Sequence, residues 1–225
     1  MPERMPEIGG AHISGAGDFR KLVSIALIVL GTALGSPGAA ADPTLTTLYI
    51  FDPRSGDGDG ASGPLAFDKL GALYGTTSFG GARGWGTVFK LTPPVDQSAP
   101  WAERILYSFT GGPDGGAPES GVIFDKEGNL YGTTYRRGSI NDRSCRVGDG
   151  CGTVFQGIAP ADPDGPWGGR VLWSFTGRPD GGNPNALILD DRTGVLYGTT
   201  EYGGLPGYSG TWYWGTVFKL TPPPT

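Results

Sequence analysis

Three short motifs each occur three times along this 225-residue chain, always in the same order. They begin at Leu48, Leu106 and Leu172 for Leu-aromatic-x-Phe, at Leu73, Leu130 and Leu196 for LYGTT, and at Gly86, Gly152 and Gly215 for GTVF. From GTVF to the next Leu-aromatic-x-Phe the offset is 20 residues both times, but from LYGTT to GTVF it varies from 13 to 22. Such a repeat builds one structural unit several times, and the connection of variable length is predicted to be a surface loop.

Composition excludes long helices from this unit. The chain has 42 Gly and 20 Pro, which cost about 1 and about 3 kcal/mol relative to Ala inside a helix. Only 17% of the residues are charged and 11% are aromatic, which is unlike a chain that stays unfolded. The sequence therefore predicts an all-β protein.

Each unit contains four apolar runs of strand length. In the middle copy they span residues 105–109, 122–125, 130–134 and 153–155. A turn containing Gly joins the second run to the third, and several runs are apolar on both faces, as in sheets covered on both sides. We therefore predict a β-propeller-like fold with three repeats of about four antiparallel strands each. The repeats span residues of about 45–99, 100–165 and 166–223.

Three repeats are fewer than the roughly four to eight blades of natural propellers. The first Leu-aromatic-x-Phe run, residues 48–51, reads as a lone fourth strand, and residues 217–220 read as a third strand. We therefore expect an incomplete propeller, either half of a six-bladed ring made by a homodimer that exchanges strands or a piece of a longer array with open edges.

The N-terminal region has the pattern of an export signal. Arg20 and Lys21 precede an apolar run over residues 22–34, and Ala39–Ala41 forms a small-residue cleavage site. The run is shorter than the roughly 20 residues that cross a bilayer, so cleavage is favoured over a retained anchor. We predict a signal peptide at residues 1–41, a repeat domain at residues 42–225, export to the periplasm, cell surface or medium, and no membrane span after cleavage.

Charge and histidine content limit the possible functions. The net charge is −5, which disfavours binding to phosphate backbones, so no nucleic-acid partner is expected. The single histidine, His12, lies within the predicted signal. The mature protein would thus have no histidine for a catalytic triad, a general base or a zinc site, and no metal or cofactor is expected.

The two cysteines, Cys145 and Cys151, lie close together in the variable connection of the middle copy. In an exported chain a local disulfide is favoured. A pair of metal ligands or two free thiols are the alternatives.

The motifs LYGTT, GTVFKLTP, YSFTGGPDGG and D-x-x-G-x-LYGTT resemble those of the GloVer (Gloeo_Verruco) tandem repeat, found in choice-of-anchor exported bacterial repeat proteins. The resemblance covers residues of about 45–223. It implies an exported, propeller-like repeat protein and assigns no activity to any residue. Such proteins typically carry more copies and a C-terminal sorting segment, from which this sequence departs.

In an antiparallel meander the variable connections and the Pro-Asp-Gly segments emerge at the same end of each sheet. Aromatic residues in or beside these connections could form a rim that binds a glycan or a protein, and the candidates are Trp85, Tyr208, Trp212 and Tyr213. The alternative is that such rings wedge between blades, which we favour for Trp214. Trp101 and Trp167, at the opposite end, are expected to cap the blades.

Two acidic or Gly-rich patterns have ordinary explanations. Residues 58–63 match G-x-G-x-x-G, but Pro64 and a strand follow where dinucleotide binding requires a helix. Asp57, Asp59, Asp142 and Asp149 could offer oxygen ligands to Ca²⁺, but the calcium-loop motif is incomplete, so we expect solvated turn acids.

These observations favour an exported, non-catalytic binding or scaffold module. The residues that repeat equally in every copy behave as structural residues do. The alternative is a carbohydrate-active enzyme that uses two carboxylates and no histidine, with acids found in one copy as candidates: Glu201, Asp142 and Asp149.

Overall fold

The computed structural model describes residues 42–96, 99–138, 149–177, 179–204 and 214–223. The chain divides into two compact units, Met1–Thr44 and Leu45–Thr225, and the strands found among the described residues lie in the second. The predicted signal peptide, residues 1–41, lies outside the described residues and stays a prediction. In the described part there is no helix long and apolar enough to span a membrane.

The second unit is all-β and contains three antiparallel sheets. The first sheet consists of β1 (Gly58–Phe67), β2 (Leu73–Gly80), β3 (Thr87–Thr92) and β4 (Ala102–Ser108). The second consists of β5 (Val122–Phe124), β6 (Leu130–Thr134), β7 (Thr153–Ile158) and β8 (Gly168–Ser174). The third consists of β9 (Gly182–Asp190), β10 (Val195–Tyr202) and β11 (Thr216–Leu220). In each sheet the strands pair in chain order, so each sheet is a meander.

The structure confirms three all-β repeats and corrects one strand. LYGTT lies on the second strand and GTVF at the start of the third strand of each sheet, and Leu-aromatic-x-Phe lies at the end of the fourth strand of the first two sheets. Residues 48–51, predicted as a strand, are not one. No neighbouring strand pairs with them in the described part, and their backbone runs into a 3₁₀ turn at Pro53–Ser55.

Strand register places the variable connections and the Pro-Asp-Gly segments at one end of the sheets, which we call the rim. Gly58 pairs with Gly80, and Thr87 pairs with both Thr77 and Ser108. β2 therefore ends at the rim, β3 begins there, and β4 ends there before the next Pro-Asp-Gly segment. The prediction that both kinds of segment share one end is confirmed.

Repeated contacts between phenylalanine rings join each sheet to the Leu-aromatic-x-Phe segment that precedes it. The Phe that ends Leu-aromatic-x-Phe packs edge-to-face on the Phe of the next GTVF, with ring centroids 4.9 to 5.2 Å apart. The pairs are Phe51–Phe89, Phe109–Phe155 and Phe175–Phe218. Such pairs contribute about 0.5 to 1.5 kcal/mol beyond the burial of their area, so the motif spacing also sets the contact between neighbours.

Trp101 and Trp167 pack against the core at the end opposite the rim, as expected of capping residues. Trp101 lies against the cluster of Leu73, Phe89 and Leu91. Trp167 lies against the cluster between the first two sheets, where its ring is 6.3 Å from that of Tyr74.

The glycine of GTVF is required by geometry in all three sheets. Gly86, Gly152 and Gly215 have φ of 92°, 83° and 81°. A Cβ at Gly152 would lie 2.2 Å from the carbonyl oxygen of Thr134. Any side chain there would both strain the backbone and collide with the neighbouring strand.

Candidate functional site

The rim begins with the Pro-Asp-Gly turns, whose aspartates hold the turns together. Asp114 accepts hydrogen bonds from the Tyr107 hydroxyl at 3.0 Å, the Thr110 backbone N–H at 2.8 Å and the Thr110 hydroxyl at 2.5 Å. Burial and then the charge of Asp114 raise the pKa of Tyr107 to about 12. The Tyr107 hydroxyl therefore stays protonated and donates to the carboxylate.

The other two copies repeat this arrangement. Asp180 accepts from the Trp173 indole N–H at 3.1 Å, and Asp57 accepts from the Tyr49 hydroxyl at 2.8 Å. Asp57 is only 6% exposed, so the expectation of a solvated acid was wrong at this position. The Tyr49 hydroxyl from the preceding segment and the N–H groups of Asp52 and Gly58 surround its carboxylate. These three aspartates are structural residues of the turns.

Trp85 lies at the rim between the first two sheets and is half-buried. The guanidinium of Arg137 lies 3.9 Å from its ring centroid, and Arg137 also pairs with Asp149 at 3.0 Å. The backbone of Gly111 and Gly116 lies directly against the same ring, because a Cβ at either would contact it within 3 Å. Trp85 therefore packs partly as the wedge alternative describes, and the cation on its face leaves less of the ring open for a ligand.

A second polar cluster lies at the rim between the second and third sheets. The Tyr135 hydroxyl donates to Glu201 at 2.5 Å, and the Tyr202 hydroxyl also donates to Glu201. Burial, followed by the hydrogen bond to Glu201, raises the pKa of Tyr135 above its usual value. Glu201 was a sequence candidate for catalysis, and its two described partners are phenols rather than a second carboxylate.

Several sequence candidates lie outside the described residues. They are Asp142, Cys145, Tyr208, Trp212 and Tyr213. Cys151 is fully buried, and its disulfide with Cys145 stays a prediction. The other predicted catalytic candidate, Asp149, is held by Arg137 rather than by another acid.

The expected wedge role of Trp214 is wrong within a single chain. Its ring is 80% exposed, whereas the equivalent Trp85 packs against the next sheet and the equivalent Cys151 is buried. The ring of Trp214 has no following sheet to pack against in the described part.

The sequence analysis did not single out Glu103, on β4. One of its carboxylate oxygens is buried without a hydrogen-bond partner. Burial, and then the charge of Asp57, raise the pKa of Glu103 to about 7. A carboxyl with a raised pKa near a second acidic residue is a pattern found in active sites, but nothing in the motif pattern distinguishes Glu103 from a solvent-facing strand residue.

In the part of the chain that the structure describes, the acidic and Gly-rich patterns of the sequence do not form a metal or nucleotide site. Among the described residues no group of three or more His, Cys, Asp or Glu side chains could hold a metal ion. The residues of the G-x-G-x-x-G match lie on strand β1, where the backbone has no helix N-terminus to bind a pyrophosphate.

Together, the meander sheets, the repeated turn aspartates and the repeated phenylalanine contacts define an all-β tandem-repeat protein. A model of the family described as the Gloeobacter/Verrucomicrobia repeat matches residues 39–225. The chain therefore belongs to this family, which confirms the resemblance seen in the motifs. No curated protein matches the chain.

Proposed function

We propose that the chain is an exported, non-catalytic repeat module whose sheets are arranged as propeller blades and whose rim binds a glycan, with a protein as the alternative ligand. Export is supported by the signal pattern at residues 1–41. Secretion of a chain beginning at Asp42, read by N-terminal sequencing, tests that part directly.

The propeller-like arrangement is supported by how the sheets meet. The first strands of successive sheets contact one another, β1 with β5 and β5 with β9. Apolar clusters fill the space between the first and second sheets and between the second and third. Inner strands that meet and faces that are covered by the neighbouring sheets are properties of propeller blades.

One observation carries the binding role. The aspartates that repeat in every copy are hydrogen-bonded within their own turns, whereas residues that differ between copies lie at the rim. Asp57, Asp114 and Asp180 each accept several hydrogen bonds within their own turn. By contrast, Arg137 and Glu201 occur in one copy each. Arg137 lies in the variable connection of the middle copy, and Glu201 lies at the rim end of β10. Loops carried by a rigid scaffold are where binding residues concentrate.

Retention on immobilised polysaccharides and cell-wall material tests the proposal. Replacing both Tyr208 and Trp212 by Ala removes two rim rings, and we expect retention to fall at least tenfold with no change in melting temperature. Phe67→Ala is the matched control, because Phe67 is 68% exposed at the opposite end of β1. Equal retention of the double variant and the wild type would exclude a glycan-binding rim. Capture of a protein by the wild type and not by the double variant would identify the alternative ligand.

The enzyme alternative is favoured by one observation, the buried carboxyl of Glu103 in the field of Asp57. Release of products from the same polysaccharides distinguishes it from binding. Our proposal expects no turnover by the wild type. Turnover that is abolished in Glu103→Gln or Glu201→Gln would contradict a non-catalytic module and identify the acid.

A further inference from the structure

The outer edge of β11 lacks a partner strand that the first two sheets have. β11 pairs with β10 on one side, and in the described part no strand pairs with its other side. The equivalent strands β3 and β7 pair with β4 and β8 at that side. An unpaired edge exposes a row of backbone N–H and C=O groups that can accept another strand.

The valine at this unpaired edge is exposed, unlike its two equivalents. The valine of GTVF is 3% exposed at Val88 and 0% at Val154, but 82% at Val217. A groove of about 350 Å³ lies beside β11. The equivalent space between the first two sheets is about 80 Å³ and is bounded by Trp167 and β8.

Residues 45–51 carry the motif of a fourth strand but have no third strand among the described residues to pair with. They contain the one Leu-aromatic-x-Phe copy that pairs with no described strand, and Leu45 and Ile50 are 98% and 79% exposed. Phe51 already packs on Phe89 as the equivalent phenylalanines do. The contact with the following sheet is thus made, and the contact with a preceding sheet is missing.

We propose that residues 45–51 of a second copy form the fourth strand of the third sheet, and that the exchange is reciprocal, so that two copies close a ring of six sheets. The proposal rests on the propeller-like arrangement and not on binding at the rim. Six sheets lie within the range of about four to eight blades that close naturally, and a closed ring leaves neither edge unpaired.

A second copy fits this edge for reasons of sequence and geometry. The edge pairs with a Leu-aromatic-x-Phe strand in both complete sheets, and residues 45–51 carry that motif. The chain's own residues 45–51 are held on the first sheet by the hydrogen bond from Tyr49 to Asp57 and by Phe51.

The two complete sheets also fix the register of the proposed pairing. Thr87 and Val88 face Ser108 and Tyr107, a bulge follows, and Lys90 faces Arg104. The second sheet has the same register with the same bulge. Transferred to the third sheet, this register places Thr216 opposite Ile50, Val217 opposite Tyr49 and Lys219 opposite Thr46 of the second copy.

The exposed ring of Trp214 fits the same pairing. The equivalent Trp85 is half-buried because the turn that follows β4 packs on it. In the proposed pair the turn at residues 52–57 of the second copy covers Trp214 in the same way. The wedge expected for Trp214 would then form between copies.

A disulfide between copies tests the register. Facing residues of antiparallel strands have Cα atoms about 4.5 to 5.5 Å apart, within the range of about 4.4 to 6.8 Å that a disulfide spans. We expect the full chain carrying Thr46→Cys and Lys219→Cys to become a covalent dimer on mild oxidation, with the bond mapped between these two positions. Mixing the two single variants should give the covalent heterodimer.

The control shifts the register by one residue. Thr47→Cys with Lys219→Cys places the thiols on opposite faces of the sheet, so this variant and the unaltered chain should stay uncrosslinked. A bond formed within one chain, a ladder of larger covalent species, or no bond together with a single-chain mass by light scattering would overturn the proposal.

Val217→Asp provides a second measurement that does not depend on cysteines. Because Val217 is exposed in the single chain, the substitution should leave the sheets folded, as read by circular dichroism. We expect the mass to fall from two copies to one. A variant that keeps the mass of two copies would overturn the proposed interface.

Discussion

The second and third sheets are built from the same motifs but differ in how much of each is covered. In the second sheet β8 pairs with the outer edge of β7, and Val154 is fully buried. In the third sheet the equivalent edge of β11 is unpaired in the described part, and Val217 is 82% exposed. The same four residues, GTVF, are thus a core strand in one place and a surface in another. Burial of a strand in this fold is conferred by its neighbours and is not a property of its own sequence.

The largest effect is expected from a charge placed at the two equivalent valines. Val154→Asp buries a carboxylate with no partner and should lower the free energy of unfolding by about 4 kcal/mol or more. Val217→Asp should change it by no more than about 0.5 kcal/mol in dilute single chains. Urea denaturation of both variants measures the difference. Equal costs would show that the two sheets are covered to the same extent in solution.

The glycine of GTVF gives a smaller contrast. Gly152→Ala should destabilise by about 3 kcal/mol, because its Cβ would meet the Thr134 carbonyl at 2.2 Å and Pro184 of the next sheet at 2.7 Å. Gly215→Ala meets the Thr200 carbonyl at 2.4 Å but no proline, so we expect a loss smaller by about 1 kcal/mol.

Gly128→Ala is the matched control for the glycine pair. Gly128 has φ of 89° and nothing within 4 Å of its Cβ position. It therefore measures the backbone strain alone, about 1 kcal/mol. A Gly215 variant less stable than the Gly152 variant would contradict the difference between the sheets.

The pH dependence of stability caused by Glu103 tests how tightly the fourth strand of the first sheet is packed. Its pKa of about 7 in the folded chain lies above the ordinary value of 4.5 for a glutamate, so folding favours the protonated form. The resulting stability is fully present below about pH 4.5 and is lost as the pH rises towards 7. Since the side chain is only partly buried, we expect only about 1 kcal/mol, well below the full conversion of the shift.

Glu103→Gln should remove this part of the pH dependence and stabilise the chain at pH 8 relative to the wild type. Melting temperatures of the two proteins at pH 4, 6 and 8 check it. Parallel curves for variant and wild type would show that Glu103 is solvated and that β4 is loosely held.

The smallest change in stability is expected at the two positions whose backbone N–H groups donate hydrogen bonds to the preceding sheet. Ala117 and Asn183 have φ of 52° and 55°, and their N–H groups donate to the carbonyls of Trp85 and Cys151 at 2.9 and 2.8 Å. Ala117→Gly should relieve strain and stabilise by up to about 1 kcal/mol. Asn183→Gly should not, because it also removes the side-chain bond to the Tyr135 carbonyl at 2.8 Å. Equilibrium unfolding of the pair shows whether the two junctions carry equal strain.

The sequence predicted the repeat, the strands and the rim because these depend on local patterns. LYGTT was placed at residues 130–134 and is β6 with the same bounds. The Pro-Asp-Gly turns and the rim end follow from motif order, since an antiparallel meander alternates its ends.

What the sequence could not predict are the properties that depend on distant neighbours. The same motif gives a strand at residues 106–108 and none at 48–51, because only the first lies beside a GTVF strand that precedes it. The expected solvated acid Asp57 is buried, because Tyr49 and the turn N–H groups surround it.

The sequence by itself determined the unit: its strands, its turns, its glycine positions and the end at which its variable loops emerge. The tertiary structure decided which copies of that unit are covered. It buried Val154 and exposed Val217, packed Trp85 and exposed Trp214, and raised the pKa of Glu103 through burial beside Asp57. The physical reason is that hydrogen bonds of a turn are satisfied within a few residues, whereas burial and desolvation depend on which sheet packs alongside.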